Sequence, residues 1–400
     1  MKQYIIIVAI LFLSLFIFGQ ENDNYLNGLA KIHYQEYDSA ITYFSKALSS
    51  DKNTAKLYLH RGECYFILDS LNEAKKNYNS AEKLESGIAS FNLARINAIQ
   101  ENFDEALKWI EINLKSEYKI AKSEIRTNDA FIMLRETGEW EQLWLKDWYS
   151  EQEIIFESAE YLKKRKKYVD ALEELDKLIF QDKNNAHLAY YKRAEVYLLL
   201  NDNRNALSDL NSAIKINSDN FIYYYQRANL LMKSRKFKKA FADYNKVIDL
   251  NDENFEAFYK RALVEKKLQL YNEAINDLKF YLKYMDKHEI AYYKGGLIYL
   301  NVNKYDEAKA WLDKAIKMNL NKVEYYIARV DAYEGLKNYM SMSDDCTQAL
   351  DLNPNEGILY FKRGIAKYNL KDKDGACKDW QKAIKYNYFE ANEYMLNDCQ

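Results

Sequence analysis

The chain has 400 residues, and its 58 Lys and Arg nearly balance its 60 Asp and Glu, for a formal charge of −2. Nucleic-acid binding needs a basic excess to displace counterions, so this balance argues against a nucleic-acid partner. One proline, Pro354, and eleven glycines are too few for a β-rich fold with many tight turns.

In chain order, Met1-Lys2 leads into Ile5 through Phe18, an apolar run broken only by Ser14. The run is shorter than the ~20 residues of a spanning helix. Residues 1–19 therefore read as a signal peptide, with Gly19 before the cleavage point and polarity beginning at Gln20-Glu21. The rival is an uncleaved N-terminal anchor. No second apolar run follows, so no membrane insertion is expected after signal cleavage.

From residue 21 onward the alanines recur with a period of about 34 residues. The best copy is Leu57-Tyr58-Leu59-His60-Arg61-Gly62-Glu63-Cys64-Tyr65, followed by Leu71, Ala74, Tyr78 and Ala81. Counting weak copies, ten begin near 21, 55, 87, 152, 187, 221, 255, 289, 323 and 357. Position eight of a copy is small (Gly62, Ala194, Ala228, Ala262, Gly296, Gly364), and position twenty is Ala (Ala74, Ala206, Ala240, Ala274, Ala308, Ala376). Small residues at both points let two helices approach and cross. Large apolar residues at positions eleven, seventeen and twenty-four fill the flanks, as Tyr65, Leu71 and Tyr78 do. No copy can bury its apolar face alone; stacking on a neighbour completes the core.

The chain resembles the tetratricopeptide-repeat family over nearly all of its length after the signal. The resemblance implies an all-α fold, an α-solenoid of about ten helix-turn-helix repeats in a right-handed superhelix. Three repeats occupy 21–115 and seven occupy 152–387, with a C-terminal capping helix over 388–400. The register breaks at 116–151, an irregular helical insert with Trp140, Trp144 and Trp148. Their spacing of four predicts one shared helix face. That stripe either covers the end of the first block or offers an aromatic partner site.

Position seven is often arginine, and an aspartate then stands sixteen residues later. The pairs are Arg193 with Asp209, Arg227 with Asp243, Arg261 with Asp277, Arg329 with Asp345 and Arg363 with Asp379. Arg61 has Asn77 instead, and where Gly295 replaces the arginine, Trp311 replaces the aspartate. We expect an Arg–Asp contact between the two helices of one repeat. A contact to the preceding repeat would set Arg329 against Trp311, which cannot accept a hydrogen bond.

In the family, first helices line a concave wall through positions two, five, nine, twelve and thirteen. Carried onto this chain, position five gives Tyr191, Tyr225, Tyr259, Tyr293 and Phe361. These rings either line a partner-binding groove or pack between neighbouring first helices. The lysine and asparagines with which some repeats clamp a chaperone's C-terminal carboxylate are missing, apart from Asn229.

The last repeat and its tail, Gly375 to Ala383 and then Asn397-Asp398-Cys399, resemble the terminal unit of exported bacterial repeat proteins. On that resemblance Cys377 and Cys399 form a disulfide in an oxidising compartment. Cys64 and Cys346 sit at repeat-core positions and read as small buried apolar residues. The four histidines are scattered, and no metal, phosphate-loop or nucleophile motif is present, so neither an enzyme nor a cofactor is expected. The expected role is a non-catalytic protein- or peptide-binding scaffold, exported to the periplasm or the extracellular space of a bacterium. The alternative is a permanent structural subunit of a cell-envelope assembly, such as a secretion or motility complex. An enzyme with a pocket invisible in sequence is a remote third.

Overall fold

A computed structural model describes residues 23–181 and 186–399. The signal segment expected over 1–19 lies outside the described residues. Every regular element described is helical. Residues 23–33 form α1, followed by α2 (Tyr37–Ser50), α3 (Ala55–Ile67), α4 (Leu71–Leu84), α5 (Ser90–Ile99) and α6 (Phe103–Lys115). The irregular stretch holds α7 (Lys122–Thr127), two 3-10 turns at Asp129–Phe131 and Leu134–Glu136, and α8 (Gly138–Leu143). Helices α9 (Glu151–Lys164), α10 (Tyr168–Gln181), α11 (His187–Leu199) and α12 (Asn203–Ile216) come next. They precede α13 (Phe221–Lys233), α14 (Phe237–Leu250), α15 (Phe255–Lys267), α16 (Tyr271–Tyr284), α17 (Glu289–Asn301) and α18 (Tyr305–Met318). The chain ends with α19 (Val323–Gly335), α20 (Tyr339–Leu352), α21 (Gly357–Asn369), α22 (Lys373–Lys385) and α23 (Ala391–Asp398). Two compact units divide this chain, one up to Asn217 and the other from Ser218. Among the described residues no helix is long and apolar enough to cross a membrane.

Within each unit a helix packs on its partner and then on the first helix of the next pair. The crossings follow the small residues. All six alanines at position twenty are fully buried. A Cβ added at Gly62 would lie 2.8 Å from the Tyr78 ring, one at Gly296 would lie 2.6 Å from Leu312, and one at Gly364 would lie 2.4 Å from Trp380. Glycine thus stands where position twenty-four carries a side chain that fills the space a Cβ would need. The same exchange operates at position seven, where a Cβ on Gly295 would fall 2.1 Å from Trp311.

First helices end in one recurring device. The residue after Leu68 is Asp69, with φ 57°, and the same left-handed conformation recurs at Asn201, Arg235, Gln269, Asn303, Lys337 and Lys371. Around it, Asp69 N–H donates to the Phe66 carbonyl at 3.0 Å and Ser70 N–H to the Tyr65 carbonyl at 2.8 Å. This bond pair is a Schellman cap, which satisfies the last carbonyls and turns the chain sharply into the second helix.

The tryptophans do not share one helix face. Helix α8 stops at Leu143, so Trp144 and Trp148 fall in the turns beyond it. The Trp148 indole N–H donates to the Leu143 carbonyl at 2.6 Å, folding the chain back on itself. Trp140 is buried with Phe131, Leu134 and Leu143 against Ala106, Ile110 and Leu114 of α6, and Trp144 and Trp148 pack on the edge of that cluster. The insert thereby closes the apolar end of the α5–α6 pair.

At the other end Cys377 and Cys399 are joined, with Cα atoms 5.7 Å apart, and the bond ties α22 to α23. Cys64 and Cys346 are free and buried. Phe361 and Trp380 pack on Tyr394 of α23, with ring centroids 5.1 Å apart in both contacts. Cys399→Ser should lower the free energy of unfolding by about 3 kcal/mol. Hydrogen exchange should show α23 opening before α21 and α22; equal protection in both proteins would contradict this account.

Candidate partner-binding face

Position seven points across the crossing of its own helix pair. Arg193 donates Nε and Nη2 to the two carboxylate oxygens of Asp209 at 2.8 and 2.7 Å. Arg227 holds Asp243 at 2.8 and 2.7 Å, and Arg261 holds Asp277 at 2.7 and 2.8 Å. Arg329 holds Asp345 at 2.6 and 2.7 Å, and Arg363 holds Asp379 at 2.8 Å through both nitrogens. These are bidentate, charge-assisted forks, and all five aspartates are buried. The expected contact within one repeat is therefore made.

The arginines also reach the preceding repeat, which the sequence argument had set aside. Nη1 of Arg261 donates to Asn245 at 2.9 Å, that of Arg329 to Asp313 at 2.7 Å, and that of Arg363 to Thr347 at 3.1 Å. Arg193 likewise meets Asp176, and Arg61 meets Ser45 at 3.0 Å. The acceptor is two residues beyond the position occupied by Trp311, so the indole poses no conflict. Each guanidinium also lies over an aromatic ring one turn earlier on its helix, 5.4 Å away for Arg363 over Tyr360 and 5.6 Å for Arg227 over Tyr224. One side chain thus fastens three helices.

Burial pushes the Asp209 and Asp345 carboxyls up from their ordinary value, against the pull of Arg193 and Arg329. Desolvation of the carboxyls thus opposes the attraction, the cost that burying an ion pair carries.

The position-five rings are set into the wall. Tyr191, Tyr259 and Phe361 are buried, and Tyr225 and Tyr293 are half-buried. The Tyr191 hydroxyl donates to Glu195 at 3.0 Å. Tyr225 meets Tyr244 edge-on, Tyr259 packs on Tyr281 and His288, Tyr293 on Tyr325, and Phe361 on Tyr388. What the first helices leave open is a mixed surface. In the second unit Ile222 and Ile290 at position two are 39% and 43% exposed, and Leu263, Leu297 and Leu300 are half-buried. In the first unit a groove of about 1080 Å³ opens beside the insert, lined by Ile120, Ile154, Tyr161, Leu188 and Lys192 among others.

Comparison with known proteins bears on the same segments. The family model described as tetratricopeptide repeat matches residues 55–87, 187–220, 222–254 and 290–322, and a second of the same description matches 359–387. The chain carries tetratricopeptide repeats. A curated relative, RNA polymerase II-associated protein 3 of Xenopus tropicalis, is 38% identical over 69 residues. That stretch is 17% of this chain and 10% of the relative, so the chain spans about a tenth of the relative's length. Among solved structures, the C-terminal part of a TPR repeat-containing protein from Cytophaga hutchinsonii is 17% identical, covering 60% of this chain and 98% of that one at a TM-score of 0.49. A tetratricopeptide repeat protein from Parabacteroides merdae is 22% identical, covering 62% and 99% at 0.43. YrrB, described as a TPR protein with an unusual peptide-binding site, is 20% identical, covering 44% and 91% at 0.41.

The α15–α16 pair carries a group that its sequence did not single out. Glu265 occupies position eleven, where Tyr65, Tyr197, Tyr299 and Tyr333 stand in other repeats. It is buried, its Oε2 makes no hydrogen bond, and its Oε1 lies 3.9 Å from Nε of Arg261. Burial, and then the neighbouring Asp277 carboxylate, push its pKa up to about 8, with Arg261 opposing. The available signal was a lone carboxylate in a column where tyrosine recurs.

Two outcomes follow from these buried charges. Arg227→Ala leaves Asp243 buried without its counter-charge and should cost about 3–5 kcal/mol in denaturant unfolding. Arg227→Met with Asp243→Leu should recover most of that loss; an unchanged melting temperature in Arg227→Ala would refute the buried-fork account. Glu265 has the reverse pH signature from an ordinary carboxylate. Its folded pKa lies above its unfolded value near 4.5, so the fold loses stability as pH rises from about 4.5 through 8. Glu265→Gln should therefore melt alongside wild type at pH 4.5 and several degrees higher at pH 9, with a gap that does not grow with pH counting against this assignment.

Proposed function

We propose that this chain is a non-catalytic scaffold that binds a protein or peptide on the first-helix face of its repeats, outside the cytoplasm. The observation that carries the binding reading is apolar surface left open on consecutive first helices. Ile222 and Ile290 stand in solvent at the same repeat position, with Leu263 and Leu297 half-covered beside them. Isoleucine exposed on the first helices has no packing role in the crossings, and apolar surface left open among polar groups is the usual mark of an interface. The tyrosines contribute as the rigid floor of that surface.

The site outside the cytoplasm rests on two features. The apolar run Ile5 through Phe18 has the length and flanks of an export signal. The Cys377–Cys399 disulfide fits an oxidising compartment. The permanent-subunit alternative gains nothing from the tryptophans, whose rings are turned onto the core of the α5–α6 pair.

Ile222→Asp with Ile290→Asp should leave the melting temperature unchanged and remove the principal crosslinked partner from intact producing cells. A partner that persists undiminished would sink the first-helix reading. In the same preparation the exported protein should begin at Gln20; protein retained in the cytoplasm with Met1 intact would exclude the location.

A further inference from the structure

Lysines on the first helices recur at positions six and twelve, and in the first unit they are satisfied from within. Lys163, at position twelve of α9, meets Glu160 at 2.8 Å and Glu195 at 3.0 Å. Lys192, at position six of α11, meets both glutamates at 3.2 Å. Glu160 and Glu195 each stand at position nine of their repeats. Two neighbouring first helices thus hold two lysines around two carboxylates. A related closure occurs in the second unit, where Lys362 of α21 meets Asp331 and Glu334 of α19 at 2.7 Å each.

The α15 and α17 pair repeats the lysines without the carboxylates. Lys266 is at position twelve of α15 and Lys294 at position six of α17, matching Lys163 and Lys192. Position nine now holds Leu263 and Leu297 where the first unit has Glu160 and Glu195. Both lysines are half-buried, and Lys294 lies 5.1 Å from the Tyr293 ring centre. Neither makes an ion pair or hydrogen bond among the described residues. Glu256, nearer the start of α15, is engaged by Lys260 at 3.2 Å. Burial, and then the charges of Lys294 and Lys267, hold the Lys266 ammonium below its ordinary pKa. A half-buried cation left without its counter-charge is unfavourable in isolation and becomes favourable when an anion arrives.

We propose that Lys266 and Lys294 receive the carboxylate of an aspartate or glutamate side chain in a bound partner segment, set where Glu160 and Glu195 sit between α9 and α11. Leu263 and Leu297 then receive an apolar side chain next to that acid, so the recognised unit is an acidic residue beside an aliphatic or aromatic one. This assignment rests on the peptide-binding reading above and names the chemistry that the face selects.

The test is selection from a random dodecapeptide display library on the full chain, followed by binding of the synthesised consensus with an amidated C-terminus. Wild type should enrich Asp or Glu next to a large apolar residue. Leu263→Glu with Leu297→Glu supplies the missing carboxylates from within, as in the first unit. It should weaken the consensus peptide at least about tenfold while holding or raising the melting temperature. Lys266→Met with Lys294→Met removes the cations and should lose binding to the same degree. Selected peptides without acidic enrichment, or a consensus bound within twofold by both variants, would overturn the assignment and leave peptide binding intact. Dependence on a free C-terminal carboxylate would also overturn it. If no peptide is selected, this assignment falls together with the peptide-binding reading.

Discussion

The structure depends on how closely two helices of a pair can approach, and that distance is set by a residue with almost no side chain. In most pairs position eight supplies glycine or alanine, position twenty supplies alanine, and the ring or branch at position twenty-four fills what remains. Everything else is arranged around that crossing. Position seven is the next residue along, so a long side chain there emerges at the seam of three helices. An arginine is long enough to reach two of them and has enough donors to satisfy both. The left-handed cap then reverses the chain within two residues, which keeps the second helix in register with the first.

Where the arginine is absent, a different interaction fills the seam. Gly295 gives its space to Trp311, and α17 loses the clamp to α16 that Arg261 and Arg329 provide at their own junctions. The indole meets two rings of its own helix pair edge-on, Tyr292 with centroids 5.8 Å apart and Tyr299 with centroids 5.3 Å apart. Rings supply area without the directional demand of a guanidinium.

The period, the pairing of helices and the Arg–Asp partnership were legible in the sequence because each is a constraint on residue size or charge repeated many times. The third arm of the arginine was not. Its acceptor position holds Ser45, Asp176, Asn245, Asp313 and Thr347, which share only an oxygen, so no single residue type marks the column. The left-handed caps were hidden for a similar reason. Glycine would have advertised them, but Asp69, Arg235, Gln269 and Lys337 carry them at some conformational cost that the two cap bonds and the tertiary packing override. The tryptophan spacing misled because spacing implies a shared face only while the helix continues, and α8 has ended before Trp144. The position-five tyrosines were placed on the right helices, but their burial is set by partners such as Tyr244, Tyr281 and Tyr325, from a second helix or a neighbouring repeat.

Departures from the repeat pattern are informative because the pattern itself is explained. In the second unit several fall on α15 to α18. Glu265 replaces an aromatic residue, Lys266 and Lys294 stand without acids, and Gly295 with Trp311 replaces the arginine fork. Each of the first two leaves a buried or half-buried ionisable group unsatisfied, which a scaffold selected for stability alone would lose by single substitutions to residues present at the same position elsewhere in the chain. Tyrosine at 265 and leucine at 266 would restore what Tyr299 and Leu300 supply in the next repeat. Retained strain of this kind is expected where a partner completes the electrostatics.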